Sequence, residues 1–250
     1  MTENFDHYSK YYDLIYADKP YKSEVKYISD FLATQNIYSG NILEFGCGTG
    51  KHAEYFVQNN FTIAGIELSE KMVANSFKHP NFKIVCGDIA TTKFNQEFDA
   101  VISLFHVMSY QTTNQQLLDV FKNAYNHLKP GGYFIFDFWY TPAVFSDPPT
   151  CRIKKINNSS TSIFRVSEPS NEYDKNLVNV DFSVFIENTK TKRVNFINET
   201  HVMRHFGLPE LDLISSLTGF TLVKCEEFMT GQPLSRHSFG VCIFLQKPSK

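Results

Sequence analysis

The sequence predicts an α/β fold, with a seven-stranded, mostly parallel sheet flanked by helices and an inserted antiparallel β subdomain. Short apolar runs alternate with helix-like stretches from residue 22 to residue 139, which indicates βαβ units and a parallel sheet. After Pro142 the composition changes to segments rich in Ser, Thr and Asn, in which apolar and polar residues alternate. Such alternation is typical of antiparallel strands with one face in water.

The first half of the chain is predicted to hold five strands and four helices. An amphipathic helix is expected over residues 22–35, where Val25, Ile28 and Leu32 recur at helical spacing. The predicted strands are residues 41–45, 61–67, 82–86, 98–105 and 133–139. The remaining helices are predicted at 51–59, 70–78 and 113–128, with Ser69 as an N-cap. Lys129-Pro130-Gly131-Gly132 is predicted to be the stop signal before the fifth strand.

The second half is predicted to contain an insertion and then the end of the main domain. Residues 146–208 are interpreted as a sheet that covers the carboxyl edge of the main one, with strands near 178–186 and 193–201. Pro209 is placed at the first position of a helix, and two strands at 221–227 and 239–246 complete the main sheet. The main domain would then comprise residues 1–145 and 209–250, with an N-terminal helical lid.

The composition favours a small-molecule partner. The formal net charge is −2 and the pI about 6.4, and no basic run marks a nucleic-acid footprint. The 24 Phe and 13 Tyr predict aromatic-lined cavities as well as a core. No signal peptide and no apolar stretch of membrane-spanning length is evident, so a cytoplasmic protein without membrane contact is expected. The five scattered cysteines predict reduced, buried thiols, with neither disulfides nor a zinc site.

The most informative segment is the glycine-rich turn after the first strand. Glu44-Phe45-Gly46-Cys47-Gly48-Thr49-Gly50 joins a strand to a helix, and glycines there let the backbone approach a ligand closely. Many such loops are merely turns, and the loop by itself allows any nucleotide. A dinucleotide fingerprint would need glycine in place of Lys51, and a P-loop would need Ser or Thr in place of His52.

Acidic residues end the next two predicted strands. Glu67 can accept hydrogen bonds from ribose hydroxyls, and Asp88 can meet an adenine amino group. Each carboxylate alone is typical of a cap or a solvated strand end, but their placement on successive strands favours a nucleoside site. Leu104, near the end of the fourth strand, would pack against the purine. A cleft lined by Glu44, Glu67 and Asp88 suits a sulfonium cation without a pyrophosphate, which favours S-adenosylmethionine.

Four segments together resemble the motif series of class I S-adenosylmethionine-dependent methyltransferases, which have a Rossmann-like fold. These segments are E-F-G-C-G-T-G at 44–50, G-I-E-L-S at 65–69, C-G-D-I at 86–89 and L-K-P-G-G at 128–132. Residues 12–21, 65–72, 136–145 and 201–206 are similar to bacterial N,N-dimethyltransferases of nucleotide-linked amino sugars. That group commonly has Asp where this chain has Glu44.

The resemblance implies a donor site. Tyr12, Tyr16 and Tyr21 would belong to the lid, although they could equally form an aromatic helix face packed on the core. Gly46 and Gly48 would contact the methionine half of the donor. Glu67 would bind its ribose, and Asp88 with Ile89 its adenine. The full set predicted to bind S-adenosylmethionine is Tyr12, Tyr21, Glu44, Gly46, Cys47, Gly48, Glu67, Leu68, Asp88, Ile89 and Leu104.

The resemblance also implies a sugar-nucleotide acceptor with an amine, dTDP-type, as the small-molecule substrate. The catalytic candidates are His106, Tyr110 and Tyr16, since a nearby base helps to expose the lone pair of an amine. The candidates for acceptor binding are Trp139 and Tyr140 as a stacking wall and Arg204, His205 and Arg236, with His237, as anion anchors.

No metal is expected, because Asp137 alone makes no acidic cluster. An O-methyltransferase acting on a small hydroxylated metabolite and a non-catalytic nucleoside-binding protein are the alternatives. A homodimer is one option for the assembly.

Overall fold

The computed structural model describes residues 9–249, with side chains from residue 11 onward. The strands are β1 Gly40–Phe45, β2 Phe61–Glu67, β3 Phe82–Cys86, β4 Phe98–Ser103, β5 Leu128–Trp139, β6 Arg152–Asn157, β7 Thr161–Glu172, β8 Leu177–Asn188, β9 Val194–Arg204, β10 Thr221–Glu227 and β11 Gly240–Gln246. The helices are α1 Ser9–Ile15, α2 Tyr21–Thr34, α3 Lys51–Gln58, α4 Glu70–Ala74, α5 Asn114–His127, α6 Thr141–Ser146 and α7 Leu208–Thr218, with a 3₁₀ turn at Val107–Tyr110.

Seven of these strands form the predicted, mostly parallel sheet. Their order is β10-β11-β5-β4-β1-β2-β3, and β11 runs antiparallel to both of its neighbours. The prediction of an α/β fold with seven strands is therefore confirmed. Since β1 to β5 run parallel, their carboxyl ends meet at one edge, where ligands bind in open α/β sheets.

The other four strands form an antiparallel sheet in the order β6-β7-β8-β9. All of them fall inside residues 146–208, the segment predicted as an insertion. Each strand pairs with its neighbour in sequence through a short turn, which gives this strand order.

Much of the core consists of phenylalanines that stand on both faces of the main sheet. Phe45, Phe134 and Phe136 are buried in the cluster on one face, and Phe61 and Phe244 in the cluster on the other. Their rings meet at tilted or edge-to-face angles, such as Phe121 against Phe134 with centroids 5.4 Å apart. Edge-to-face pairs are preferred because the ring edge is positive and the face negative. The high Phe content therefore serves the core first.

Two predicted boundaries at the fifth strand and at the α4 helix are wrong. β5 begins at Leu128 and runs through the predicted stop signal, because Leu128 pairs with Phe98 on β4. Gly131, at φ +83°, keeps the strand paired by donating its N–H to the Lys247 carbonyl. The helix after Ser69 ends at Ala74 rather than near residue 78. Phe77 donates its N–H to the Thr49 carbonyl instead of continuing the helix.

Three smaller differences concern element ends. β4 ends at Ser103 rather than at residue 105. Phe105 and His106 have left-handed backbone angles, which an extended strand does not accommodate. Pro209 is the second residue of α7 rather than the first, and the short helix α6 was not predicted. The five cysteines are free in the structure, and Cys86 and Cys151 are exposed, whereas buried thiols were predicted.

None of the helices between residues 9 and 249 is long and apolar enough to cross a membrane.

Candidate active site

A large cavity opens at the carboxyl edge of the main sheet. It has a volume of about 970 Å³, at the upper end of the range for small-molecule sites. Its walls come from the glycine loop and strand ends on one side and from the inserted sheet on the other. The cavity is therefore large enough for a nucleoside donor together with an acceptor.

The glycine loop forms one wall because its backbone is left-handed at three positions. Gly46, Gly48 and Gly50 have φ values of +67°, +55° and +82°, which residues with a Cβ rarely adopt. A Cβ on Gly46 would lie 2.5 Å from a methyl carbon of Val107, whereas a Cβ on Gly48 would meet no atom within 4 Å. Gly48 therefore leaves open space where its backbone faces the cavity.

Glu67 fixes this loop from the end of β2. Its buried carboxylate accepts hydrogen bonds from the N–H of Gly48 and of Ser69, both at 2.9 Å. Burial raises the pKa of Glu67, while these backbone donors act in the opposite direction. A carboxylate has about four lone-pair positions, so two accepted bonds leave capacity for ligand hydroxyls.

Most residues predicted to bind the donor line this cavity. They are Tyr12, Tyr21, Gly46, Cys47, Gly48, Glu67, Leu68, Asp88, Ile89 and Leu104. Asp88 also accepts a hydrogen bond from the Ala90 N–H at 2.8 Å, so one of its oxygens caps the turn after β3. Glu67 and Asp88 together give this half of the cavity an acidic lining that suits a sulfonium-bearing nucleoside.

The helix α1 closes the cavity by linking the glycine loop to the inserted sheet. Ile15 packs against Ile163, Val184 and Ile186 of that sheet. Asp13 accepts a hydrogen bond from Thr49 at 2.8 Å. Tyr12 and Tyr16 pack in this cluster and also line the cavity, and the lid role of the tyrosines stays a prediction.

His106 lies in the same cavity, held by a buried carboxylate. Phe105 and His106 have φ values of +69° and +60°, and such strain in residues other than glycine persists only when the surroundings enforce it. Asp137 on β5 accepts the His106 backbone N–H at 3.0 Å, and its Oδ2 lies 2.9 Å from the ring Nδ1. Burial alone would raise the pKa of Asp137, but the His106 contacts outweigh it and the pKa lies below its ordinary value.

This pair resembles the arrangement in which a carboxylate orients a histidine for proton transfer. Asp137 lies on the Nδ1 side of the ring as an ion-pair partner, which leaves Nε2 as the ring nitrogen that can reach an acceptor. The Trp139 ring lies beside the imidazole, with centroids 5.7 Å apart. Tyr16, Tyr110 and Trp139 line the cavity as well.

Comparisons with known proteins agree with this geometry. Residues 42–132 match the family described as "Methyltransferase domain". The dTDP-3-amino-3,4,6-trideoxy-alpha-D-glucopyranose N,N-dimethyltransferase of Streptomyces venezuelae is 27% identical over 231 residues, which cover 91% of this chain and 94% of the relative. The crystal structure of Streptomyces venezuelae DesVI has a TM-score of 0.81 at 26% identity, covering 97% of this chain and 98% of DesVI.

The chain is an S-adenosylmethionine-dependent methyltransferase. The resemblance inferred from the four motifs is thereby confirmed, and so is the enzyme class. The sugar N-methyltransferase KedS8 from Streptoalloteichus sp ATCC 53650 has a TM-score of 0.82 and covers 100% of this chain and 94% of its own, but at 19% identity it supports the fold alone.

Glu44 requires a correction, because it does not line the cavity of the enzyme. It is 1% exposed and lies under the glycine loop, where Oε1 is 3.2 Å from His52 Nδ1. His52 Nε2 lies 2.7 Å from Glu24, which also pairs with Lys19. Among the described residues, the Glu44 Oε2 atom has no hydrogen-bond partner. Glu44 is therefore part of a buried ionic cluster and not of an open acidic cleft.

This cluster predicts how stability varies with pH. Burial by itself lowers the pKa of His52, but its bonds to Glu24 and Glu44 outweigh burial and raise it above the ordinary value of 6.5. A raised histidine pKa stabilises the fold below pH 6.5, and this contribution is lost as the pH rises through the folded-state pKa. We expect the free energy of unfolding, measured in urea, to fall as the pH rises above 6.5.

The His52→Gln variant should remove this slope, whereas His79→Gln, at an exposed histidine, should keep it. An unchanged slope in His52→Gln would contradict the assignment of the pH dependence to this cluster.

Four residues predicted to bind the acceptor also lie outside the cavity, for identifiable reasons. Tyr140 is the N-cap residue of α6 and packs on the core. Arg204 pairs with Glu210 and donates to Asn114 at 2.7 Å, which ties the inserted sheet to the main domain. His205 is 1% exposed beside Thr141, and burial lowers its pKa to about 4, so it is neutral.

Arg236 is exposed and donates to His237 at 3.1 Å. His237 lines a second, smaller cavity of about 470 Å³, which shares His106 with the large one. Whether these side chains face the cavity depends on the tertiary fold and not on their position in the sequence.

The structure brings in residues that the sequence analysis missed. Arg152 and Arg165 line the large cavity from the inserted sheet, and so do Phe182 and His201. Strand alternation could have assigned them to one face, but only the strand register shows which face meets the cavity. No cluster of His, Cys, Asp and Glu suited to a metal ion occurs among residues 9–249.

Proposed function

We propose that the enzyme transfers a methyl group from S-adenosylmethionine to the amine of a nucleotide-linked amino sugar. The observation that carries the acceptor class is the pair of cations, Arg152 and Arg165, in the same cavity as the donor loop. Guanidinium groups bind phosphate oxygens through paired hydrogen bonds, so they suit the diphosphate of a sugar nucleotide. The Streptomyces venezuelae relative, named for a dTDP-amino sugar, supports the same class.

The register of the inserted sheet explains why the two arginines act together. Arg152 on β6 pairs with Ser167 on β7, and Arg165 precedes Ser167 by two residues, so all three share one face. Diagonal neighbours of this kind lie about 7–8 Å apart at Cα. Arg165 is held in place by its hydrogen bond to the Tyr16 hydroxyl at 2.9 Å, while Arg152 is exposed at the rim.

The residues around the reacting atoms have separate tasks. When bound, S-adenosylmethionine supplies an electrophilic methyl group on a sulfonium sulfur. The glycine loop and Glu67 are proposed to hold the donor, and the inserted sheet with α1 excludes bulk water. His106 would accept the proton that the amine gives up, at Nε2, and Asp137 would stabilise the resulting imidazolium. Alignment of the reactants can contribute much of the rate enhancement in such a displacement.

The arginine pair yields a test of the acceptor class. We expect Arg152→Gln to raise the KM of a nucleotide-linked amino sugar by about tenfold, the effect of a lost charged hydrogen bond of about 1.5 kcal/mol. The KM for S-adenosylmethionine should not change, and neither should the KM for the corresponding free amino sugar. Steady-state kinetics with both acceptors measures this difference.

Lys155→Gln is the matched control, because Lys155 carries the same charge on the opposite face of β6, 5.5 Å from the Phe164 ring. Equal KM values for Arg152→Gln and Lys155→Gln with the nucleotide-linked acceptor would remove the support for a diphosphate site.

The proposed activity itself is tested by incubating the purified protein with labelled S-adenosylmethionine and a panel of dTDP- and UDP-linked amino sugars. Label in an N-methyl product supports the proposal. Binding of S-adenosylmethionine without transfer to any amine overturns it, and transfer to a hydroxyl would identify an O-methyltransferase instead.

We also propose that the enzyme acts in the cytoplasm, which the five free cysteines support, and that it has no nucleic-acid or membrane partner. The homodimer stays a prediction.

A further inference from the structure

Three side chains form a continuous chain of contacts on the acceptor side of the cavity. The Tyr110 hydroxyl lies 2.7 Å from His201 Nδ1, and His201 Nε2 lies 3.2 Å from a carboxylate oxygen of Glu199. The side chains of His201 and Glu199 are only 2% and 6% exposed. Tyr110 comes from the 3₁₀ turn after β4, whereas the other two come from β9, so the chain joins the main domain to the inserted sheet.

For a neutral His201, the order of these contacts fixes where the protons lie. A buried carboxylate accepts hydrogen bonds and cannot donate them, so Glu199 selects the His201 tautomer with its proton on Nε2. Nδ1 is then an acceptor, and Tyr110 must donate its hydroxyl proton to it. The phenol therefore turns the lone pairs of its oxygen, rather than its proton, toward the cavity that it lines.

We infer that Glu199 and His201 are positioning residues that make the Tyr110 oxygen a hydrogen-bond acceptor for the N–H of the acceptor amine. Such a bond would orient the nitrogen lone pair and would disfavour a group that offers no N–H or O–H at this place. Glu199 does not line the cavity, so its effect on the reaction passes through His201 and Tyr110. This inference rests on the proposed function, because it assumes an acceptor that carries N–H bonds.

The inference is tested by a double-mutant cycle between Tyr110→Phe and Glu199→Leu, with kcat measured on whichever acceptor the wild type methylates. We expect each single variant to lower kcat by about five- to tenfold, the rate effect of one lost hydrogen bond, with little change in donor affinity. In the Tyr110→Phe background, Glu199→Leu should lower kcat by less than about a further twofold, since the tyrosine oxygen that Glu199 orients is absent.

Two variants serve as controls. Glu199→Gln keeps a carbonyl oxygen that accepts from Nε2, so it should retain most of kcat. Asn198→Leu changes the neighbouring residue on the opposite face of the strand and should act like the wild type. Equal fold-losses for Glu199→Leu in both backgrounds would overturn the inference, because they would show an effect that bypasses Tyr110.

A second measurement separates this inference from the proposed function. The ¹⁵N chemical shifts of His201 are expected to show a proton on Nε2 and none on Nδ1. A proton on Nδ1 would overturn the inference even if amino sugars are methylated. If the wild type methylates no amine in the panel, the proposed function fails, while the tautomer still decides the arrangement of Tyr110, His201 and Glu199.

Discussion

We expect Gly46→Ala to lower the free energy of unfolding by about 2–4 kcal/mol, the sum of a left-handed backbone penalty and of overpacking. Gly46 has a φ of +67°, and the new Cβ would lie 2.5 Å and 2.7 Å from the two methyl carbons of Val107. Since Val107 begins the 3₁₀ turn that follows His106, the strain would reach the part of the cavity that His106 lines. Urea denaturation monitored by tryptophan fluorescence measures the loss.

Gly48→Ala is the matched control for this change. Gly48 has a similar φ of +55°, but its Cβ would point into open space. We expect it to lose only the backbone penalty of about 1–2 kcal/mol. Its affinity for S-adenosylmethionine should nevertheless fall by about tenfold or more. The added methyl group would occupy cavity space proposed for the donor, and its free-energy cost is comparable to that of overpacking a core.

The two variants therefore separate stability from binding within one loop. Equal losses of unfolding free energy in Gly46→Ala and Gly48→Ala would contradict the role given to the Val107 contact. Unchanged donor affinity in Gly48→Ala would contradict the placement of the donor beside this glycine.

Glu67→Ala is expected to weaken the binding of S-adenosylmethionine by about 1–3 kcal/mol, measured by isothermal titration calorimetry. The variant removes the acceptor that is proposed for the ribose hydroxyls. It also leaves the Gly48 and Ser69 N–H groups without the carboxylate that orders the loop. Both effects reduce affinity in the same direction.

Glu67→Gln distinguishes the loss of charge and acceptors from the loss of volume. The glutamine amide keeps one acceptor oxygen, but its NH₂ would face a backbone N–H that needs an acceptor. We therefore expect weak binding of S-adenosylmethionine in this variant too. Glu70→Gln, at an exposed carboxylate three residues away, should bind like the wild type. Wild-type affinity in Glu67→Ala would refute the ribose assignment.

The glycine-loop side of the cavity was predictable because its signals are local. Glycines that need left-handed angles follow one strand, and acids end the next two, so strand order alone brings them to one edge of a parallel sheet. The lining residues Gly48, Glu67 and Asp88 follow from this rule. Glu44 escaped it, since a side chain within a strand points to one face or the other, and here it points to His52.

The acceptor side was less predictable because it depends on contacts between distant segments. Arg204 and His205 were predicted as anion anchors from the chemistry of their side chains. In the fold Arg204 pairs with Glu210, while Arg165 on another strand faces the cavity. Register shifts of one residue exchange the two faces of a strand, and register is set by pairing partners that the sequence does not identify.

The sequence by itself determined the fold class, the enzyme class and the glycine loop, because periodicity, glycine placement and strand-end acids are properties of short segments. Only the tertiary structure decided how the loop is used. It placed Glu67 under Gly48, removed Glu44 from the cavity and brought Tyr110 within 2.7 Å of His201, which lies 91 residues further along the chain. Such pairings arise from the packing of the inserted sheet on the main domain, and that packing is not encoded in any one segment.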